Sequence, residues 1–204
     1  MLAMTEASAT RARGRPREGA REALVEAARE LFTERDYDRV STEQILERSG
    51  VSRGALYHHF PTKLELFKAV YEASERRVIE SVVAAAVSDG SPIELLREAA
   101  RAYLRMAETD EELRRIGLTQ SRAVLGWEDW REAAMRLGLG VVLAGVTAAI
   151  EAGELPPHDP ETTAIVLLGA LIEGAMLVVV AADRSVARER SEAVIVDLLE
   201  GLRR

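Results

Sequence analysis

Several side chains between Ser52 and Lys63 have the types and spacing needed to read nucleic acid. Arg53 carries a guanidinium that can reach guanine O6 and N7 as a bidentate pair. Gly54 and Ala55 are small enough to let a backbone approach closely. Tyr57 and His58 lie on a similar helical face and can meet base edges, a thymine methyl or phosphate. His59 and Lys63 are better placed for phosphate, as is Thr42 further upstream. The segment Ser52–Lys63 holds two cations, two histidines and no carboxylate. Binding follows this local potential rather than the total charge.

Other chemistries fit these residues less well. Gly50-Val51-Ser52-Arg53-Gly54 matches the G-x-S-x-G nucleophile elbow, which needs a strand before the serine. A helical pattern precedes Ser52, no strand pattern is present anywhere, and no base and acid complete a triad. No catalytic residue is assigned and the chain is read as not an enzyme. His58 and His59 are adjacent, so on a helix they diverge by about 100°, and His158 is the one other histidine. No metal site and no cofactor is expected. The chain has no cysteine, which excludes disulfides and thiolate sites.

Two short helices joined by a tight turn must position the reading residues. Ser41 or Thr42 can cap the first, accepting from the free N–H groups of its opening turn. Ile45 and Leu46 supply its buried face. Gly50 suits the left-handed end of that helix, and Val51 plugs the corner. Ser52 caps the second helix, Arg53 to Phe60, and Pro61 stops it. This is the pattern of a helix-turn-helix, whose second helix enters the major groove of DNA. Glu43 would repel phosphate, which counts against a base contact from the start of the first helix.

The run Gly50-Val51-Ser52-Arg53-Gly54-Ala55-Leu56-Tyr57-His58-His59-Phe60, with Lys63 and Leu66-Phe67, resembles the tetracycline-repressor (TetR) family of bacterial regulators. The resemblance is specific from about Ala20 to Tyr71 and only architectural beyond. It implies DNA contacts at Thr42, Arg53, Gly54, Tyr57, His58, His59 and Lys63, with Ser52 at the mouth of the reading helix. It also implies a homodimer formed by the last two helices.

Charge and composition agree with such a division. The net charge is −7, yet residues 1–70 hold 12 Lys+Arg and 11 Asp+Glu, against 15 and 23 in the rest. Residues 1–16 read as a disordered basic arm, in which Arg13 and Arg15 could follow phosphates or the minor groove. Residues 17–66 form the expected DNA-binding head, and residues 67–204 the ligand-binding and dimerisation domain. The start lacks the apolar run of a signal peptide, so a cytoplasmic protein is expected. Aromatics are only 4%, and abundant Leu, Ala, Glu and Arg favour helices.

The expected fold is all-α, with about nine helices. A first helix spans Arg17 to Glu34, and a fourth, from about Thr62 to Val87, is shared between head and body. Pro92 opens a fifth, and Thr109 or Asp110 caps a sixth ending near Leu125. The seventh starts at Trp127, the eighth follows Asp159-Pro160, and the ninth begins at Asp183 or Ser185. The eighth is very apolar, but Glu173 interrupts it, so it is read as a core helix buried on most of its surface rather than a membrane span. Ala170, Gly174, Val194, Leu198 and Leu202 are the expected dimer residues.

An effector pocket is expected in the body. Its candidate lining is Tyr103, Met106, Gln120, Trp127, Trp130, Met135, Glu173 and Met176, since aromatics and Met make adaptable walls. Glu173 is the candidate polar anchor, because a carboxylate in an apolar helix must be paired, protonated or solvated. A salt bridge across the dimer is its rival role. The reading is a DNA-binding regulator, a repressor released from double-stranded operator DNA by a small-molecule effector, with no membrane partner. The alternatives are a helical interaction protein that has lost DNA binding, and a helical enzyme.

Overall fold

The computed structural model describes residues 17–86 and 90–203. The expected basic arm, with Arg13 and Arg15, lies outside the described residues. The described chain is helical throughout and contains no strand. Three helices form the head: α1 (Arg17–Glu34), α2 (Thr42–Ser49) and α3 (Arg53–His59). Then follow α4 (Lys63–Ala85), α5 (Pro92–Thr109), a π-helix (Leu113–Gln120), α6 (Ser121–Leu125), α7 (Trp127–Glu151), α8 (Pro160–Val180) and α9 (Arg184–Leu202).

Local chemistry sets most of the ends. Ser41 caps α2 in a reciprocal box: its hydroxyl accepts from Gln44 N–H, and the Gln44 side chain accepts from Ser41 N–H. Such a box satisfies two free donors at once. Gly50 closes α2 at φ 66°, a left-handed conformation that glycine adopts without steric cost. Ser52, Thr62, Asp159 and Asp183 cap α3, α4, α8 and α9 through their side chains. Phe60 is the residue after α3 rather than its last turn.

The head closes on aromatic packing. Leu24, Phe32, Ile45, Leu56 and Phe67 are fully buried together. Phe32 meets Phe67 edge-on at 5.1 Å, and Tyr37 packs against both rings. The first half of α4 supplies Leu66, Phe67, Val70 and Tyr71 to this core, and its second half supplies Val78 and Val82 to the body. One rigid element therefore belongs to both hydrophobic cores.

The sixth expected helix is two structures. Its central eight residues, Leu113–Gln120, form the π-helix, and Ser121–Leu125 return to regular α-helix. Simple periodicity does not foresee this, because a π turn is rare and concentrates at functional sites.

Two helices, α7 and α8, are long and apolar enough to cross a membrane by length and composition. Both pack in the helical body, but α8 is not buried on most of its surface as expected. Ala164, Leu168, Ile172, Ala175 and Val178 face inward, while Val166, Leu177 and Val180 are 65%, 55% and 73% exposed. On α9, Val194 and Leu198 are exposed too, at 59% and 47%.

Candidate DNA interface and ligand cavity

The second helix of the head presents the expected reading residues together. Arg53, Gly54, Tyr57 and His58 are exposed and His59 is half-buried. His58 and His59 pack edge to face, with ring centroids 5.2 Å apart. Ser52 spends its hydroxyl on the backbone N–H of Ala55, 3.3 Å away. It is a helix cap following a helix, so the G-x-S-x-G run here has no nucleophile-elbow geometry. Thr42 is the first residue of α2, and its hydroxyl donates to Glu43 at 3.2 Å.

Arg53 is not free. Its Nη2 donates to Glu43 Oε1 at 2.6 Å, tying α3 to α2 across the turn. The Glu43 carboxyl is held below its ordinary range, first by its own backbone N–H and then by Arg53.

Lys63 departs further from its expected phosphate role. Its Nζ donates to the carbonyls of Tyr37 and Val40, at 2.9 and 3.0 Å, and lies 3.9 Å over the Tyr37 ring. Burial lowers its pKa. The ammonium fastens the link between α1 and α2 to the start of α4.

The body holds a partly open cavity of about 110 Å³ between α4, α5, α7, α8 and α9. Its walls are almost wholly aliphatic, including Val78, Leu96, Val142, Leu168, Leu171 and Ile172. The two polar groups in the wall are Glu75 of α4 and Tyr103 of α5. Glu75 is half-buried, and the desolvation of its carboxyl pushes its pKa up to about 7. Burial, and then the neighbouring Glu75 carboxylate, raise the Tyr103 phenol.

Of the expected pocket residues, the cavity includes Tyr103 alone. Met106 and Met176 pack against the α4–α5–α8 core, and Met135 against the core shared with the head. Trp130 is buried beneath the Arg122 guanidinium, and Trp127 is 62% exposed. Glu173 is exposed. It stands on the outward face of α8 with Val166 and Leu177, because the inward face is filled by α5, α7 and α9 contacts. The anchor that sequence reasoning missed is Glu75. The signal was present, since Tyr71, Glu75, Val78 and Val82 recur at helical spacing and put this carboxylate on a buried stripe.

Gln120 is buried for another reason. Its Nε2 donates to Phe32 O and its Oε1 accepts from Tyr37 N–H, both at 2.8 Å. It joins the end of the π-helix to the head. At the other end, Glu112 accepts from Arg29 of α1, from Ser74 at 2.6 Å and from Arg77 at 3.2 Å. Arg115 adds a 2.8 Å ion pair to Asp36. The inner side of the same π-helix meets the cavity carboxylate: a Cβ on Gly117 would stand 3.0 Å from Glu75 Oε1. The segment thus touches the cavity and grips the head.

Among the expected dimer residues, Val194 and Leu198 lie on the open apolar face and Ala170 is half-buried. Gly174 is inside the chain, where a Cβ would meet Ser191, Leu104 and Ile195. Its small size serves α8–α9 packing within one subunit. Leu202 packs inward against the core that contains Leu155 and Leu167.

An exposed reading helix on a capped helix-turn-helix, joined to a helical body with a partly open apolar cavity, defines a DNA-binding regulator. Comparison with known proteins agrees. Residues 24–70 match the model for bacterial regulatory proteins of the tetR family, and residues 93–202 the tetracyclin repressor-like C-terminal domain. The chain belongs to the tetracycline-repressor family and is a helix-turn-helix transcriptional regulator.

A TetR-family regulator from Pectobacterium atrosepticum is 31% identical in its crystal structure, with a TM-score of 0.80, covering 91% of this chain and 95% of the other. The TetC protein of transposon Tn10 from Escherichia coli is 26% identical over 72% of this chain and 74% of its own. RolR in complex with resorcinol shares the fold at 21% identity and a TM-score of 0.72, covering 92% of each chain. Two further curated relatives, one an activator and one a repressor, are each matched over 44% of their own length.

Proposed function

We propose that the chain is a cytoplasmic, homodimeric repressor that leaves its operator when a small molecule fills the Glu75 cavity. The observation that carries this is the π-helix Leu113–Gln120. One side backs onto the cavity carboxylate, while Glu112, Arg115 and Gln120 hold the head. A ligand that moves Glu75 pushes on the element that sets the angle of α3.

In this reading Thr42, Ser52, Arg53, Gly54, Tyr57, His58 and His59 form the DNA surface. Residues 17–66 act as the head and residues 67–204 as the body. The open apolar face of α8 and α9, with Val166, Leu177, Val194 and Leu198, forms the dimer. A two-fold contact presents the same patch twice. Glu173 lies within this face and belongs to subunit association rather than to the effector.

Half-sites on DNA lie about 34–36 Å apart or at multiples of that, so a small rotation of the heads suffices to lose one. A ligand achieves this only by preferring the non-binding geometry. RolR, which binds resorcinol, supports a one-ring molecule as a suitable size for such a body.

A gel shift with the DNA upstream of the chain's own gene tests the reading. A dimer-sized shifted band, reversed by a ligand that co-purifies with the protein, is the expected result. A protein that binds no specific duplex would refute it.

A further inference from the structure

The chemistry of the cavity narrows what can enter it. Glu75 and Tyr103 are both half-buried at the cavity wall, and among the described residues neither the Glu75 carboxylate nor the Tyr103 hydroxyl has a hydrogen-bond or ion-pair partner. A carboxylate partly withdrawn from water ordinarily carries a cationic or hydrogen-bonding partner, because desolvating it alone is costly. The wall offers none: α7, α8 and α9 contribute only aliphatic residues and glycine, and the π-helix contributes Gly117 against Glu75. The nearby titratable groups are Tyr71, Tyr103, Arg122 and Arg136. Arg122 lies outside the wall, with its guanidinium 4.2 Å from the centre of the Trp130 ring and its buried Nε without a partner among the described residues, and Arg136 is paired with Glu72 at 2.6 Å. The unfilled valence of this site is therefore a hydrogen-bond donor, best a charged one.

We infer that the cavity selects a small apolar amine, whose ammonium donates to the Glu75 carboxylate beside the Tyr103 hydroxyl while its hydrocarbon body fills the aliphatic space. This rests on the reading of the cavity as the effector site. A cation restores the charge balance that the protein leaves open. An anionic ligand would meet Glu75 as a like charge, and a neutral one would leave the carboxylate's charge uncompensated. The volume of about 110 Å³ is somewhat below the roughly 150 Å³ of an engineered cavity that takes benzene. The inner space accordingly takes a short branched chain, and a single ring fits by reaching into the open side of the cavity.

Benzylamine, benzyl alcohol and benzoate make a test series of one shape and three charges. Calorimetric titration of the full-length protein at about pH 8 is expected to rank benzylamine at least about tenfold above benzyl alcohol, the low end for a charged hydrogen bond. Benzoate should be weakest. Benzylamine affinity should fall at about pH 6, where Glu75 takes up a proton. In Glu75→Gln the preference for the amine over the alcohol should shrink to within about twofold.

The ranking in the unmodified protein stands without any variant, so a misfolded Glu75→Gln leaves the test intact. Equal affinity for amine and alcohol, tighter binding of benzoate, or no binding by any member overturns the inference. A gel shift run beside it separates the two readings. Amine binding that depends on Glu75 but leaves the DNA complex whole keeps the ligand class and removes the effector role. Release of DNA by the neutral or anionic probe does the reverse.

Discussion

Glu43 and Arg53 hold each other across the turn of the head, carboxylate to guanidinium at 2.6 Å, with both side chains about 60% exposed. The same acid that would repel a phosphate thus occupies the cation best suited to a guanine. An exposed pair of this kind contributes little to stability, so its effect falls on DNA binding. Glu43→Gln should tighten binding to any duplex by freeing Arg53, with little change in Tm. Arg53→Ala should weaken cognate binding by about 1–3 kcal/mol and relax one base position. Fluorescence anisotropy with cognate and scrambled duplexes checks both. Equal losses on the two duplexes for Arg53→Ala would make it a phosphate contact.

Lys63 should act on folding more than on DNA. Its removal leaves the Val40 carbonyl without the ammonium and exposes the Tyr37 ring face. Lys63→Ala is expected to cost about 1–3 kcal/mol of stability, the penalty for a buried acceptor left unsatisfied. The salt dependence of DNA affinity should barely change, since that slope counts phosphate contacts. A slope reduced by about one with Tm unchanged would restore the phosphate role.

Burial raises the Glu75 pKa to about 7 from an ordinary 4.5. Between those values the folded protein holds a proton that the unfolded chain has lost. Stability from this group is therefore complete below the unfolded value and declines as pH rises toward 7. The shift corresponds to roughly 3 kcal/mol. Glu75→Gln should remove this slope and be the more stable form at about pH 8. Denaturant melts of both proteins across that range measure the difference. Parallel curves would mean that water or a counter-charge already compensates Glu75.

Gln120 should couple the cavity to the head. Gln120→Leu keeps an apolar body of similar length but breaks both bonds to Phe32 and Tyr37. Ligand affinity measured by calorimetry should be retained, while the ligand concentration needed to release DNA rises. If release proceeds as in the unmodified protein, the signal travels through α4 alone.

Leu198→Arg places a charge on the open face of α9, where the side chain is 47% exposed in the isolated subunit. In a dimer through α8 and α9 that charge is buried without a partner, which is strongly unfavourable. Light scattering should show a monomer with an intact helical spectrum. Should the variant remain dimeric, the subunits meet elsewhere.

The residues themselves determined every feature whose cause lies within about four positions of itself. The box of Ser41 and Gln44, the left-handed Gly50, the caps at Ser52, Thr62 and Asp159, and the first helix from Arg17 to Glu34 are all local hydrogen-bond and dihedral chemistry. Such interactions need no distant partner, so they are written in consecutive letters. Tertiary structure decided which of two carboxylates, both on helices with apolar stripes, would be enclosed. Glu173 sits in the more apolar helix yet faces outward, while Glu75 sits in a more polar one and faces the cavity. The hydropathy of a helix says how much surface must be covered, not which neighbour covers which side. That choice belongs to how α4, α5, α7, α8 and α9 pack together, and with it comes the inward Gly174; the clamp at Lys63 and the grip of Gln120 are likewise contacts of the head with segments distant in sequence.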